Sequence, residues 1–285
     1  MSIPVWIREG IRKREGIERL KGRLRLYNLH TVCEEARCPN IGKCFNDNTA
    51  TFLILGDICT RNCTFCAVKK GFPEKVDENE PSNVADMVIE MGLDYVVITS
   101  VTRDDIEDGG AEHFRKTISK IREKGKDVKI EVLIPDFRGN KESLKKIFDA
   151  KPDVINHNLE TVPRLYKDVR PMANYKISLD ILKSSKENGF ITKTGIMLGL
   201  GEKREDVFEL IEHISKIGCD ILTIGQYLRP SRFHIPVYEY VIPEEFEFYK
   251  EYALRKGIRY VVSAPLVRSS FMAKEAYFSL KGKND

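Results

Sequence analysis

The chain has 285 residues, of which 42% are hydrophobic and 32% are charged, and its formal net charge is +4. This composition is typical of a folded globular protein and excludes both a disordered chain and a strongly basic nucleic-acid-binding protein. No apolar run reaches the ~20 residues of a membrane span, and the first residues lack the apolar core of a signal peptide. We therefore expect a cytoplasmic protein that binds neither nucleic acid nor a membrane.

The first part of the chain, residues 1–49, falls outside the strand and helix pattern that follows and contains three cysteines. Three more cysteines stand in CTRNCTFC, directly after the first predicted strand. The two triplets, with spacings C-x4-C-x5-C and C-x3-C-x2-C, are Cys33, Cys38 and Cys44, then Cys59, Cys63 and Cys66. An odd total of seven cysteines, clustered in this way, indicates reduced thiols that bind a metal instead of disulfides.

From about residue 50, short β-branched segments alternate with longer amphipathic segments. The predicted strands are TATFLILGDI, YVVITSV, VKIEVLIP, DVINHNL, ITKTGIMLGL and DILTIGQY, followed by a shorter IRYVVSAP. The predicted helices are PSNVADMVIEMGL, AEHFRKTISKIREKG, KESLKKIFDA, KISLDILKSSKENG, KREDVFELIEHISKIG and PEEFEFYKEYALRKG. This alternation predicts a parallel sheet of βα units, either open and doubly wound or closed into a full or partial barrel, and an irregular tail after it.

In any such sheet the carboxyl ends of the strands form the ligand-binding side, so CTRNCTFC should lie there. A structural zinc site normally presents two pairs of closely spaced ligands, and neither triplet has that pairing. A four-iron cluster uses one protein ligand per iron, so three cysteines leave one iron open to a small molecule with nitrogen and oxygen donors. An electron carrier, the alternative, would need four cysteines per cluster and a much smaller scaffold.

The spacing C-x3-C-x2-C, with Phe65 just before the last cysteine, resembles the signature of the radical S-adenosylmethionine superfamily. The resemblance implies that S-adenosylmethionine binds the open iron and yields a radical that abstracts hydrogen. The first triplet, in TVCEEARCPNIGKCF, resembles the auxiliary-cluster motif of the lipoyl synthase family. The stretches VVITSVTRDDIEDGGAEHF, INHNLETVPRLYKDVRP, KTGIMLGLGE, GQYLRPS and APLVRSSF agree with that family. The likeness extends from Asn28 to about Ala273.

This resemblance implies an α/β fold, a partial TIM-type (β/α)6 barrel with an N-terminal cysteine-rich extension and a C-terminal tail. We expect the extension at residues 1–49, the core at 50–263 and the tail at 264–285. In the family, an Arg-Ser-Ser-Tyr motif of the tail supplies a serine as the fourth ligand of the auxiliary cluster. Here the motif reads Arg268, Ser269, Ser270 and Phe271, so Ser270 is the implied ligand and the tyrosine is replaced.

The implied activity is the insertion of two sulfur atoms at C6 and C8 of an octanoyl group bound to a lysine of a carrier protein. Two 4Fe-4S clusters and S-adenosylmethionine take part, and the auxiliary cluster is the sulfur donor. The implied partners are an octanoylated E2 subunit or glycine cleavage H protein, with ferredoxin or flavodoxin as electron donor. The alternative, another sulfur-inserting radical enzyme such as a methylthiotransferase, would need a different auxiliary pattern.

The resemblance also indicates residues that bind the cofactor or substrate: Phe65, Arg103, Asp104, Glu131, Asn158, Glu160, Arg170, Lys193 and Gln226. Arg170 or Lys193 could pair with the carboxylate of S-adenosylmethionine, while Asn158 or Gln226 could bind its ribose or amino group. The other reading for each is a polar residue that satisfies the end of a strand. We expect no catalytic acid or base beyond the cluster ligands. Of the five histidines, only His157 lies among these candidates.

Overall fold

The computed structural model describes residues 3–8, 17–46, 50–125 and 127–282. The strands are β1 (His30–Thr31), β2 (Thr51–Ile54), β3 (Ile58–Cys59), β4 (Lys69–Lys70), β5 (Tyr95–Ser100), β6 (Lys129–Leu133), β7 (Val154–Asn156), β8 (Ile191–Leu198), β9 (Ile221–Gln226) and β10 (Tyr260–Ser263).

The described residues form twelve α-helices, and from β5 onward these alternate with the strands. They are α1 (Val5–Arg8), α2 (Ile17–Leu26), α3 (Val32–Glu35), α4 (Ile41–Asn46), α5 (Glu80–Glu90), α6 (Ala111–Lys124), α7 (Lys141–Asp149), α8 (Tyr166–Val169), α9 (Tyr175–Glu187), α10 (Arg204–Lys216), α11 (Pro243–Arg255) and α12 (Ala273–Lys281). Two short 3-10 turns, Phe137–Gly139 and Pro163–Leu165, precede α7 and α8. Within the described part of the chain, no helix is both long enough and apolar enough to cross a membrane.

The chain forms two compact units. The amino-terminal unit comprises the described residues of Ile11–Asn62 and Ala67–Asp153. The carboxy-terminal unit comprises the described residues of Met1–Gly10, Cys63–Cys66 and Val154–Asp285. The second cysteine triplet therefore has Cys59 in the amino-terminal unit and its other two members in the carboxy-terminal unit.

In the amino-terminal unit the strand order is β1-β2-β5-β6, with β1 antiparallel to β2 and the other pairs parallel. Phe52 pairs with Ile98, which pairs in turn with Val132, and all three side chains are completely buried. Such continuous apolar strands form because both faces of a parallel sheet are covered. Helices α5, α6 and α7 follow one another here, and the Asn140 side chain caps α7 by accepting the N–H groups of Glu142 and Ser143.

In the carboxy-terminal unit β7, β8, β9 and β10 lie side by side and are all parallel. Leu198, Leu210, Leu222 and Phe246 belong to its main core, which joins the strands to α10 and α11. A second, smaller cluster packs α12 against Ile221 of β9. Burial of these apolar faces, at roughly 25 cal/mol per Å², is the main stabilising contribution in both units.

The predicted α/β class and the parallel strands are confirmed, and each of the seven predicted strand segments contains an observed strand. Each of the six predicted helices is also present. The expectation of an irregular tail after β10 was wrong, because Ala273–Lys281 forms α12. Its apolar residues Ala276, Tyr277 and Leu280 recur at helical spacing and are buried, and this pattern was visible in the sequence.

Candidate functional site

The chain enters the second cysteine triplet through a left-handed turn. Leu55, just after β2, has φ 69° and Gly56 has φ 86°. The Leu55 N–H donates to the Glu80 carboxylate over 2.7 Å, and the Leu55 carbonyl accepts from Arg103 over 3.2 Å. The other contact of Glu80 Oε2 is His113 Nε2, also at 2.7 Å. Because a leucine resists positive φ, these buried polar contacts are what fix the direction of the chain towards β3.

Arg61 anchors the loop between Cys59 and the rest of the triplet. Its guanidinium, only 4% exposed, lies 2.7 Å from a carboxylate oxygen of Asp104 and 2.5 Å from one of Asp136. Burial opposes the guanidinium charge, but hydrogen bonds to Asp104 and Asp136 outweigh it and raise the pKa of Arg61. The Arg61 N–H also points at Cys59 Sγ over 3.4 Å. Charge-assisted, forked contacts of this kind fix geometry as well as adding stability.

The other polar candidates of this unit divide into two groups. Arg103 and Asp104 lie on the loop after β5, where Arg103 forms a forked pair with Asp105 and Asp104 faces Arg61. Glu131 instead lies within β6, completely buried, and accepts a hydrogen bond of 2.7 Å from the Tyr95 hydroxyl. The structure thus brings Arg103 and Asp104 to the cysteine loop and places Glu131 inside the sheet.

The first triplet is arranged by two short helices. Cys33 lies on α3, and its carbonyl accepts the Cys38 N–H over 3.0 Å, while Cys44 on α4 donates its N–H to Asn40 O over 2.9 Å. Burial raises the pKa of the Cys33 thiol to about 12, and the neighbouring Cys38 and Cys44 add to the effect. Cys33 is buried and Cys38 and Cys44 are partly buried, so one short stretch of the chain presents three thiols, which are soft donors of the kind that iron–sulfur clusters use. The donor set therefore fits an iron–sulfur cluster.

A charged cluster connects the segments that carry Cys33 and Cys59. His30 Nδ1 lies 3.6 Å from Glu35 Oε1, and a ligand atom of Asp57 lies within 4.8 Å of each of the two residues. Lys69 on β4 forms an ion pair with Asp57, and the hydrogen bond from Lys69 lowers the pKa of that carboxyl despite partial burial. Polar side chains from the two cysteine-bearing segments of the amino-terminal unit therefore lie close together without using the thiols.

In the carboxy-terminal unit, Cys63–Cys66 forms a turn closed by the Cys66 N–H and the Cys63 carbonyl at 3.3 Å. Thr64 N–H donates to Val169 O, and Thr64 O accepts from Ile235 N–H, both over 3.0 Å. The Phe65 ring packs against the main core of this unit. The aromatic position of the motif is therefore an anchor, and the backbone on both sides of it is fixed.

A polar cluster lies at the end of β7. Arg170 donates to Asn158 O over 2.9 Å, and the Asn158 amide donates to Glu160 over 3.0 Å. Burial raises the pKa of Glu160, while the charges of Arg170 and Arg268 oppose the shift. Asn158 Oδ1 is buried without a hydrogen-bond partner among the described residues and lies 2.9 Å from where a Cβ at Gly195 would stand. An acceptor left in this state fits a donor from a ligand, such as the amino group of S-adenosylmethionine.

Lys193 and Gln226 are completely buried within β8 and β9. The Gln226 amide donates to Leu198 O over 3.1 Å and Glu239 O over 2.9 Å, and its carbonyl oxygen accepts from Val241 N–H over 2.9 Å. These contacts fix the chain on both sides of β9. The structure therefore brings Asn158, Glu160 and Arg170 together and gives Gln226 a set of internal partners.

The tail motif is held close to the end of β9. Gln226 N–H donates to Pro265 O over 3.1 Å, and a Cβ at Gly225 would stand 2.1 Å from Val267 O, so only glycine fits. Phe271 N–H then closes a turn onto Arg268 O over 2.8 Å, and Ser269 and Ser270 lie half-buried within that turn.

Several functional positions were missed by sequence reasoning. Arg61 stands inside the CTRNC segment and Asp136 lies on the loop after β6, so their positions in the chain could have indicated them although their residue types alone could not. His157, the histidine considered as a candidate, lies in the interior 3.0 Å from Ser178 Oγ. His234, which was not considered, lies 3.0 Å from the Cys66 carbonyl oxygen.

Known proteins agree with this picture. The profile of the Radical SAM superfamily matches residues 53–214. The fold resembles methylornithine synthase (PylB), with a TM-score of 0.55 and 15% identity over 88% of this chain and 78% of that one. It also resembles Streptococcus suis SuiB bound to S-adenosylmethionine, with a TM-score of 0.60 and 13% identity over 78% of this chain and 53% of that one. The chain is a radical S-adenosylmethionine protein, a class that uses a 4Fe-4S cluster and S-adenosylmethionine.

Closer relatives define the family. The profile of the N-terminal domain of lipoyl synthase matches residues 1–38. The lipoyl synthase of Caldicellulosiruptor saccharolyticus is 55% identical over 274 residues, which cover 95% of this chain and 96% of the relative. That of Alkaliphilus metalliredigens is 52% identical and covers 96% and 95%. The chain belongs to the lipoyl synthase family.

Proposed function

We propose that this chain inserts two sulfur atoms, at C6 and C8, into an octanoyl group attached to a lysine of a carrier protein. The observation that carries the proposal is the presence of two separate cysteine triplets on a chain 55% identical to a lipoyl synthase. Two clusters are what the activity needs, because one must generate a radical and the other must supply sulfur.

In this proposal Cys59, Cys63 and Cys66 hold the 4Fe-4S cluster. The cluster and S-adenosylmethionine, when bound, supply the radical that abstracts hydrogen from the octanoyl chain. Around them the protein binds and orients the cofactor and the substrate, and it excludes water. The unpartnered Asn158 Oδ1 would accept a hydrogen bond from the amino group of S-adenosylmethionine, and Arg170 would compensate the charge of its carboxylate. Roles for Arg103, Asp104, Glu131, Glu160, Lys193 and Gln226 in the binding of cofactor or substrate stay predictions.

We assign the auxiliary cluster to Cys33, Cys38 and Cys44, with Ser270 as the fourth ligand. A serine oxygen is a harder and weaker donor to iron than a thiolate, which suits a cluster that gives up its sulfur. The proposed carrier is an E2 subunit or glycine cleavage H protein, and the proposed electron donor is ferredoxin or flavodoxin. The cytoplasmic location stays a prediction of the sequence.

The central experiment reconstitutes the full chain with iron and sulfide under anaerobic conditions. S-adenosylmethionine, a chemical reductant and an octanoyl-lysine peptide are added, and the peptide is analysed by mass spectrometry. We expect a product heavier by two sulfur atoms and 5'-deoxyadenosine in the same reaction. Cleavage of S-adenosylmethionine that leaves the peptide unchanged would contradict the proposed substrate and leave the superfamily membership intact.

A matched pair of variants tests the serine ligand. Ser270→Ala should abolish sulfur insertion and lower the iron bound per chain, because one iron of the auxiliary cluster loses its ligand. Ser269→Ala removes the same hydroxyl one residue earlier in the same turn and should retain both properties. If the two variants lose activity and iron equally, or if Ser270→Ala forms normal product, the assignment of Ser270 is wrong.

A further inference from the structure

The segment after β9, residues 227–236, forms an arm that is braced by its own contacts. The hydroxyl of the buried Tyr227 donates to Ile235 O over 2.8 Å. The Arg229 guanidinium donates to His234 O over 2.8 Å and to Arg232 O over 2.6 Å. Three backbone carbonyls of the arm are thus tied to side chains at its base. These hydrogen bonds connect the arm to the end of β9 and so fix the position of His234.

The His234 imidazole lies between one side chain of the arm and one carbonyl of the cysteine loop. Nε2 is 3.0 Å from Cys66 O, and Nδ1 is 2.9 Å from Ser231 Oγ. A carbonyl oxygen can only accept, so the hydrogen on Nε2 must point at Cys66. Ser231 Oγ accepts the Phe233 N–H over 3.3 Å, which leaves its own hydrogen to donate to Nδ1. Every donor has an acceptor in this arrangement: the Cys66 carbonyl requires the tautomer with hydrogen on Nε2, and Ser231 supports that tautomer by donating to Nδ1.

The cysteine loop is held on its other side by α8. Thr64 donates its N–H to Val169 O over 3.0 Å and its hydroxyl to Asp168 O over 2.9 Å, so it occupies carbonyls that the end of α8 leaves open. The Ile235 N–H also holds this part of the loop by donating to Thr64 O. The contact from His234 falls on the far side of Phe65, at the last cysteine. It therefore controls a part of the loop that the Thr64 contacts do not reach.

We propose that His234, oriented by Ser231, is a positioning residue that holds the peptide of Cys66 and so places its thiolate for the cluster. The inference rests on the proposed function only in requiring that Cys59, Cys63 and Cys66 bind a cluster. The N–H group at Nε2 is the part of His234 that holds the Cys66 carbonyl. Glutamine can present an N–H at nearly the same distance from the backbone as Nε2, whereas asparagine is one carbon shorter and cannot.

The test compares His234→Gln, His234→Asn and Ser231→Ala in the reconstituted full chain. His213→Asn is the control, because it makes the same change at a histidine that contacts Tyr175 and not the cysteine loop. We measure bound iron, the electron paramagnetic resonance spectrum of the reduced protein with and without S-adenosylmethionine, and KM and kcat for S-adenosylmethionine cleavage without a carrier. Thermal unfolding of the protein without iron reports folding separately.

We expect His234→Asn to raise KM for S-adenosylmethionine about tenfold, the factor that corresponds to one hydrogen bond of about 1.4 kcal/mol. It should also alter the spectral change caused by S-adenosylmethionine, while His234→Gln and His213→Asn stay within twofold of the wild type in KM. Ser231→Ala should give a KM between those of the wild type and His234→Asn, because the imidazole remains but loses the hydrogen bond at Nδ1 that orients it.

Two outcomes would overturn the inference. One is a His234→Asn variant with the spectrum and KM of the wild type. The other is an equal rise in KM in His234→Gln and His234→Asn, together with a lower unfolding temperature of both variants. That result would mean that the imidazole only stabilises the arm. Failure of the wild type to cleave S-adenosylmethionine would instead count against the proposed function, so the two failures are distinguishable.

Discussion

Replacement of Arg61 by glutamine tests how the second cysteine triplet is anchored. Arg61 lies between Cys59 and Cys63, and its guanidinium contacts the carboxylates of Asp104 and Asp136. The side chains of these two aspartates are only 8% and 2% exposed. Without the guanidinium, both carboxylates would stay in a buried environment with the main compensating charge removed.

The magnitude follows from the burial. Removing one partner of a buried ion pair costs about 3–5 kcal/mol, because the remaining charge is left uncompensated. We therefore expect Arg61→Gln to lower the free energy of unfolding by about 4 kcal/mol. Arg138 provides a matched control, since its Nε lies 3.2 Å from the same Asp104 but its side chain is 64% exposed. Exposed pairs contribute at most about 1 kcal/mol, so Arg138→Gln should cost no more than that.

Urea unfolding of the two variants and the wild type, followed by circular dichroism at pH 7, measures the difference. The double variant Arg61→Gln with Asp136→Asn should be more stable than Arg61→Gln alone, because one of the two buried charges is gone. Bound iron after reconstitution should fall in Arg61→Gln and not in Arg138→Gln. If both single variants lose less than about 1 kcal/mol, the claim that a buried pair anchors the loop is refuted.

Two further predictions concern the carboxy-terminal unit. Burial opposes the Asp220 carboxylate, but Lys186 at 2.7 Å and Arg259 at 3.1 Å outweigh it and lower its pKa. A carboxyl whose pKa is lowered by folding stabilises the fold above about pH 4, and this effect is lost as the pH falls through its pKa in the folded state. We therefore expect Asp220→Asn to cost about 3 kcal/mol at pH 7 and less below pH 4, as measured by a series of urea titrations. Gly225→Ala would place a Cβ 2.1 Å from Val267 O, so we expect a loss of about 1–3 kcal/mol and faster proteolysis of the tail after β10.

The fold was predictable wherever the sequence pattern is periodic. Strands such as β5 are buried apolar runs, and helices such as α6 have apolar residues at helical spacing, so both kinds of element could be recognised, whereas the two-residue strands β3 and β4 could not. The short elements around the first triplet could not be predicted this way. Helix α3 has four residues and β1 has two, which is too short for a period, and their conformation depends on contacts with β2.

The cysteines of the site were recognisable from spacing alone, but the residues that hold them were not. Arg61 was not among the candidates, and nothing in a single sequence shows that two aspartates far from it along the chain will contact it. Gln226 has the opposite history. The family resemblance indicated a ligand contact for it, yet Gly199 leaves space for its amide to reach three backbone carbonyls, as the other reading, a polar residue that satisfies the end of a strand, predicts.

Backbone groups of the cysteines hold both triplets in place. Cys38 and Cys44 are held through their N–H groups, and Cys66 through both its N–H and its carbonyl. A loop ordered in this way loses less conformational entropy when it binds a cluster, because the backbone is already fixed. The point matters most for the first triplet. If the auxiliary cluster is consumed in each turnover, as we propose, then α3 and α4 must keep the three cysteines in place between its loss and its replacement.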